Sequence, residues 1–186
     1  MNKNKAIFLD RDGTLNHAHI KSNNKNEFKL RPPYQLKEFR LFGDIKFLNR
    51  YSQDYLLIIL SNQPDLISGD QTYEFHNFIN RQIKTNIRIQ DFFFCACLKK
   101  DPNCQCYKPK NLMLKKAINK YNIDIKKSYL IGDTWRDIKL ANSKKLSSIL
   151  IDRGYYKYLK KDFIINSAKY SYKIKSLYDL RYIIKK

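Results

Sequence analysis

No stretch of this 186-residue sequence approaches the roughly 18 consecutive apolar residues that a bilayer-spanning helix needs, so no membrane-spanning helix is expected. Met1-Asn2-Lys3-Asn4-Lys5 leads into the first strand without a secretory apolar segment, and the expectation is a cytoplasmic protein. Internal repeats, low-complexity linkers and any second domain are missing, so one domain over 1–186 is expected, long enough for a sizeable core. Cysteine is scarce and confined: all four lie between Cys95 and Cys106, poor spacing for a disulfide framework and good spacing for a metal site. Acidic residues are outnumbered 17 to 37 by basic ones, a formal charge of +20 that points toward polyanions. Arginine, the residue best suited to bidentate phosphate or base contacts, is nevertheless thin, 9 against 28 lysines, and unclustered. The charge therefore reads as a solvated surface whose field attracts phosphorylated substrates, with nucleic acid not expected as a partner.

What the chain does contain is 43% hydrophobic and 14% aromatic residues, enough for a globular core. Its organising stretch is Phe8-Leu9-Asp10-Arg11-Asp12-Gly13-Thr14, where the apolar run Ala6 to Leu9 ends in two aspartates one residue apart. A strand that delivers carboxylates to its C-terminal end matches the place where open α/β sheets hold ligands. Taken alone, the same residues also read as a polar turn.

Residues 16–29 are polar and aperiodic and read as a loop ending at Arg31-Pro32-Pro33. Phe39, Leu41, Phe42, Ile45, Leu48 and Tyr51 then predict a helix, and Leu56 to Leu60 a buried parallel strand ending in Ser61-Asn62-Gln63-Pro64. A helix is expected through Phe75, Phe78, Ile79 and Ile83, a strand over Asp91 to Cys95, and a helix with Met113, Leu114, Ala117, Ile118 and Tyr121 on one face. Tyr129 to Ile131 is a strand before Gly132-Asp133-Thr134, Arg136 to Asn142 a short helix, and Ser148 to Ile151 a strand. Towards the end, Phe163 to Ile165 reads as a small strand, and Leu177, Leu180, Ile183 and Ile184 as a closing helix. The alternation predicts a three-layer α/β/α, Rossmann-like fold with a mostly parallel sheet. No large cap domain is inserted, so loops 16–30, 64–70 and 96–107 are expected to wall an open pocket.

Asp10 and Asp12, Ser61, Lys108, and Asp133 with Asp137 collect at strand ends or helix starts, and their types suit phosphoryl transfer from a monoester. A carboxylate nucleophile can form an acyl phosphate, but like charges a few Å apart in a partly dry site repel by several kcal/mol. Mg²⁺ on hard carboxylate oxygens answers that repulsion, with Asp10 and Asp133 as natural ligands. Lys108 and the Ser61 hydroxyl would stabilise phosphoryl oxygens. Asp12 would move protons, and Thr14 with the amides after Asp10 would shape an anion-binding turn.

The ordered set resembles the four motifs of the haloacid-dehalogenase-like phosphohydrolases over residues 6 to 154. That resemblance implies Asp10 as nucleophile, Asp12 as general acid and base, Ser61 and Lys108 as phosphoryl stabilisers, and Asp133 as a Mg²⁺ ligand beside the Asp12 carbonyl. It also implies Asp137 as a nearby support.

Cys95-x-Cys97 and Cys104-x-Cys106 offer four thiolates, a set suited to tetrahedral structural Zn²⁺, with Asp101-Pro102-Asn103 as the turn that brings the pairs together. The alternative on residues alone is four reduced cysteines, Cys95 being a buried strand residue. A zinc loop just before Lys108-Pro109, with the Asp-Arg-Asp-Gly-Thr and Asn-Gln sequences, resembles the branch of heptose bisphosphate phosphatases and histidinol phosphatases. That branch uses three Cys and one His, and Cys97 stands at the His position. It implies a small phosphorylated sugar as substrate, a monomer, and contacts to substrate from Thr14, Asn62, Gln63 and Tyr107. The branch commonly carries Arg at the position of Tyr107, and an Arg in the loop after Gln63 that Pro64 to Gly69 lacks, so a bisphosphate is not implied by those positions. A nucleic-acid 3′-phosphatase and a non-enzymatic polyanion-binding zinc module are the competing readings.

Overall fold

The computed structural model describes residues 3–22, 28–98 and 101–185. Along the chain run β1 (Ala6–Leu9), β2 (His19–Ser22), β3 (Phe28–Arg31), β4 (Leu56–Asn62), α1 (Asp65–Ser68), α2 (Tyr73–Asn86) and β5 (Ile89–Cys95). They are followed by α3 (Leu112–Tyr121), β6 (Tyr129–Gly132), α4 (Trp135–Asn142), β7 (Ser147–Ile151), α5 (Tyr156–Ile165) and β8 (Tyr172–Ile174). Six strands pair in parallel in the order β5-β4-β1-β6-β7-β8. The expected mostly parallel sheet with flanking helices is present.

Both faces of the central strands are covered, which is why they read as unbroken apolar runs rather than alternating ones. Ile7, Leu9, Leu57 and Ile59 pack with Ile79 and Ile83 of α2, while Ala6, Phe8, Ile58 and Leu60 pack with Met113, Leu114 and Ala117 of α3 and Leu140 of α4. No helix among the described residues is long and apolar enough to cross a membrane.

Five segments differ from the sequence reading. Residues 19–22 and 28–31 pair as an antiparallel hairpin instead of an unstructured loop; its only apolar cross-strand pair, Ile20 with Leu30, is too little for a period-two signal. The expected helix over 39–51 is a 3₁₀ stretch, Ile45–Tyr51, whose buried residues Ile45, Leu48 and Tyr51 recur every third position, the 3₁₀ period. Leu177–Tyr182 is likewise 3₁₀, with Leu177 and Leu180 inward. Phe163 to Ile165 closes α5: Phe163 is buried with Leu159 one turn earlier, while Ile164 and Ile165 face solvent. The edge strand β8, three residues long with two exposed, carried no sequence signal.

Candidate active site

Strand register places the chemistry. Leu9 pairs with Ile59 on one side and Ile131 on the other, so Asp10 stands beside Leu60 and Gly132, and Ser61 and Asp133 follow one residue further along the two neighbouring strands, at the same C-terminal edge of the sheet. The Asp10 amide stays in the ladder, donating to the Ile131 carbonyl at 2.9 Å. Lys108 arrives from the loop before α3 and is clasped by Asn62: its amide donates to Asn62 Oδ1 at 2.8 Å, and Asn62 Nδ2 donates to its carbonyl at 3.2 Å. Asp10, Asp12, Ser61, Asn62, Tyr107 and Lys108 line one cavity of about 90 Å³, together with Leu30, Arg31 and Pro32 from the hairpin side and Thr134 and Arg136 at the start of α4.

Lys108 is buried, and all three of its ammonium protons are engaged: Asp10 Oδ1 at 2.8 Å, Asp137 Oδ1 at 2.6 Å and the Leu60 carbonyl at 2.8 Å. Burial works against its charge, but the two carboxylates outweigh that and hold it cationic, with a pKa above the usual lysine range. Its role in the resting site is thus counter-ion to Asp10 and Asp137. Asp137 is fixed from the other side, where Thr134 donates to Oδ2 through its amide at 3.2 Å and its hydroxyl at 2.6 Å, forming the capping box of α4. A Cβ on Gly132 would collide with Asp137, so that close approach requires glycine.

Asp10 Oδ1 also accepts from the Arg11 amide at 2.7 Å. Burial, then the neighbouring Asp137, raise the Asp10 pKa to about 6 against the pull of Lys108. Asp133 is buried, and neither of its carboxylate oxygens has a hydrogen-bond partner among the described residues; burial first, then Asp10 and Asp137, push its pKa well above the ordinary carboxylate value. A buried carboxylate left in that state is costly. Carboxylate oxygens of Asp10, Asp133 and Asp137 lie within 4.8 Å of one another. With Asp137 committed to Lys108 and Thr134, the donor set fits a hard divalent cation between Asp10 and Asp133. Gly13, at φ 89°, lets the turn pass directly over Asp133, where any Cβ would strike the carboxylate.

Asp12 is held by a network that sequence reading missed. Arg11, fully buried, donates from Nε to Asp12 Oδ2 at 3.0 Å and pairs with it through Nη2 at 2.9 Å. Its Nη2 also donates to Gln63 Oε1 at 2.7 Å, and its Nη1 to His76 Nδ1 at 2.9 Å and Asn80 Oδ1 at 3.1 Å. Burial, then the Arg11 charge, lower the His76 pKa to about 4, so the ring is neutral and able to accept. Asn16 Nδ2 donates to Asp12 Oδ1 at 2.9 Å.

Gln63 Nε2 donates to both Asp12 Oδ2 and Ser61 Oγ, each at 2.7 Å. Since Ser61 accepts there, its own proton is free to point into the cavity. Gln63 and Thr14, expected to touch substrate, lie fully buried beneath the cavity instead. Gln63 has its amide committed within the network, and the Thr14 carbonyl accepts from Arg153 Nη2 at 3.1 Å. An arginine between two aspartates reads as a surface residue in sequence, and the distance to His76 and Asn80 along the chain hides its partners.

The four cysteines are brought together by the expected turn. Cys95 Sγ lies 3.6 Å from Cys104 Sγ, and Cys106 Sγ lies 3.6 Å from those of Cys97 and Cys104. Cys95 and Cys106 are in disulfide contact, Cys97 and Cys104 are free, and all four sulfurs converge on one point, where they could hold a metal ion. Three sulfur pairs at 3.6 Å are close to the edges of a tetrahedron with zinc–sulfur bonds of about 2.3 Å.

A family model described as HAD-hydrolase-like matches residues 105–180. A probable D-glycero-D-manno-heptose-1,7-bisphosphate 7-phosphatase of Thermoplasma volcanium is 30% identical over 135 residues, covering 69% of this chain and 85% of that protein. The histidine biosynthesis bifunctional protein HisB of Buchnera aphidicola is 32% identical over 159 residues, covering 79% of this chain, and the chain spans 40% of its length. Among solved structures, the D,D-heptose 1,7-bisphosphate phosphatase of B. bronchiseptica, complexed with magnesium and phosphate, superposes with a TM-score of 0.72 at 21% identity over 93% of each chain.

Proposed function

Since the chain belongs to the haloacid-dehalogenase-like hydrolases, we propose that it is a Mg²⁺-dependent phosphatase of a small sugar phosphate, acting through an aspartyl-phosphate, with D-glycero-D-manno-heptose 1,7-bisphosphate as substrate and the 7-phosphate as the group removed. The observation that carries this reading is the buried Asp133 carboxylate without a partner, set beside a nucleophile-ready Asp10 in a cavity that also presents Ser61. Similarity to the Thermoplasma protein supports the substrate.

Asp10 Oδ1 is pinned by Lys108 and the Arg11 amide, leaving the other oxygen to attack phosphorus. As that bond forms, the phosphorus–oxygen ester bond breaks, and Asp12, which enters this step protonated, gives its proton to the leaving alkoxide. In the second step Asp12 takes a proton from water, which attacks the aspartyl-phosphate, freeing inorganic phosphate and the Asp10 carboxylate. Ser61 donates to a phosphoryl oxygen. Asp10, Asp133 and the Asp12 carbonyl would hold Mg²⁺, which supplies charge neutralisation for the carboxylate and phosphoryl group as they meet. The four thiolates would hold one structural Zn²⁺ that ties down the loop entering Lys108.

The test is phosphate release from sugar mono- and bisphosphates, histidinol phosphate and a 3′-phosphorylated oligonucleotide, with and without Mg²⁺. Metal-dependent release from the sugar bisphosphate, abolished in Asp10→Asn without loss of fold, is expected. Comparable turnover by that variant would overturn the mechanism. Preference for histidinol phosphate, the reading that similarity to the Buchnera histidine-biosynthesis protein favours, would overturn the substrate.

A further inference from the structure

Three basic residues line the cavity, Arg31, Lys108 and Arg136, and two of them are already spent. Lys108 has no proton left. Arg31 forms a bidentate pair with Glu38, at 2.9 Å through Nη1 and 2.7 Å through Nη2, and caps the Pro32 carbonyl at 3.0 Å. Arg136 is different. Half-buried at the second position of α4, its guanidinium has no hydrogen bond or ion pair among the described residues and lies over the Trp135 ring, 5.5 Å from its centroid.

The placement is locally unfavourable. A cation in the first turn of a helix opposes the helix dipole, and the acid of that turn, Asp137, is consumed by Lys108 and Thr134. A side chain that breaks a local rule without an internal partner marks a functional position. Its surroundings say which part of a ligand it meets. The cavity is about 90 Å³, far below the roughly 300 Å³ at the lower end for pockets that enclose a whole ligand. It therefore admits the scissile phosphoryl group and leaves the rest of the substrate outside, within reach of a half-buried lining residue such as Arg136.

We propose that Arg136 is the specificity residue for a second anionic group, a phosphate or carboxylate, on the part of the substrate distal to the scissile phosphoryl. The assignment rests on the phosphatase reading above and deepens it: the substrate is doubly anionic, and the cation comes from the start of α4, Tyr107 in the same lining being neutral. Guanidinium matches both anions with paired donors. A substrate whose distal group is an ammonium meets repulsion at the same place, which separates a sugar bisphosphate from histidinol phosphate.

The experiment compares wild type with Arg136→Gln and Arg136→Lys on a sugar bisphosphate, the corresponding monophosphate and histidinol phosphate, reading kcat and KM separately. The bisphosphate-to-monophosphate ratio of kcat/KM is expected to fall about tenfold or more in Arg136→Gln, the worth of one charge-assisted hydrogen bond. The loss should appear in KM, with partial recovery in Arg136→Lys. The same comparison is made by calorimetric binding in the Asp10→Asn background, which needs no turnover. A ratio within twofold of wild type in both measurements overturns the assignment. Absence of phosphate release by wild type overturns the phosphatase reading alone, and the binding arm then decides the role of Arg136.

Discussion

Replacing Asp133 by Asn should make the metal-free protein more stable and the metal-loaded protein useless. In the structure the Asp133 carboxylate is buried at 2% exposure, accepts no hydrogen bond, and faces Asp10 and Asp137 with one shared cation, Lys108. An amide of nearly the same shape removes the unpartnered charge; relieving one such buried group is worth about 1–3 kcal/mol, or roughly 3–10 °C in Tm for a chain of this size.

The sign depends on pH. Asp133 and Asp10 both have folded pKa values above the ordinary 3.8, Asp10 at about 6, so both favour proton uptake on folding. Their stabilising contribution is complete below pH 3.8 and is lost as pH rises through the folded values. Metal-free wild type should therefore weaken from about pH 4 to beyond 6, the variant less steeply, with the gap widest near pH 8. Mg²⁺ at a hundred times its Kd should restore about 2.7 kcal/mol to wild type, more effectively above pH 6 because the ligand carboxylates must be deprotonated, and should leave the variant unmoved. Thermal melts in chelator and in Mg²⁺ across pH 5 to 8, with phosphate release alongside, make the measurement. A variant less stable than wild type in chelator at pH 8, or one stabilised by Mg²⁺ to the same extent, would refute the reasoning.

Lys108→Met should cost about 3–5 kcal/mol in urea unfolding, because it strands Asp10 and Asp137 as buried charges beside Asp133. It should also abolish turnover; a variant of wild-type stability would show that the ion pairs contribute nothing. Metal analysis should find about one zinc per chain, and thiol titration after denaturation in chelator should find all four cysteines reduced. Cys104→Ser should lose the zinc together with thermal stability. A zinc-free protein with two titratable thiols would establish the Cys95–Cys106 disulfide as the resting state instead.

Much was legible without coordinates because it depends on short-range patterns. Ala6–Leu9, Leu56–Asn62 and Tyr129–Gly132 are apolar runs that stop at polar residues, and a parallel sheet buried on both faces requires that pattern. The hairpin β2–β3 and the edge strand β8 escaped because exposed or very short strands carry no apolar period. Arg11 and Arg136 escaped for another reason. Both look like ordinary surface cations in sequence, and only their surroundings distinguish them: Arg11 has His76, Asn80 and Gln63 around it, and Arg136 has the Trp135 ring but no hydrogen-bond or ion-pair partner among the described residues.

The sequence by itself determined the chemistry available at the strand ends: two carboxylates, a hydroxyl, a lysine and a further acidic pair, in an order that belongs to one family of hydrolases. Only the tertiary structure decided how that chemistry is divided. Strand register brings Asp10, Ser61 and Asp133 to one edge of the sheet within a residue of each other, Lys108 is shared between Asp10 and Asp137, Gln63 turns the Ser61 proton outward, and Asp133 is left unsatisfied among the described residues. Residue types fix what a group can donate, accept or bind, but its charge state and its free valence depend on burial and on neighbours drawn from distant parts of the chain, which no local pattern records.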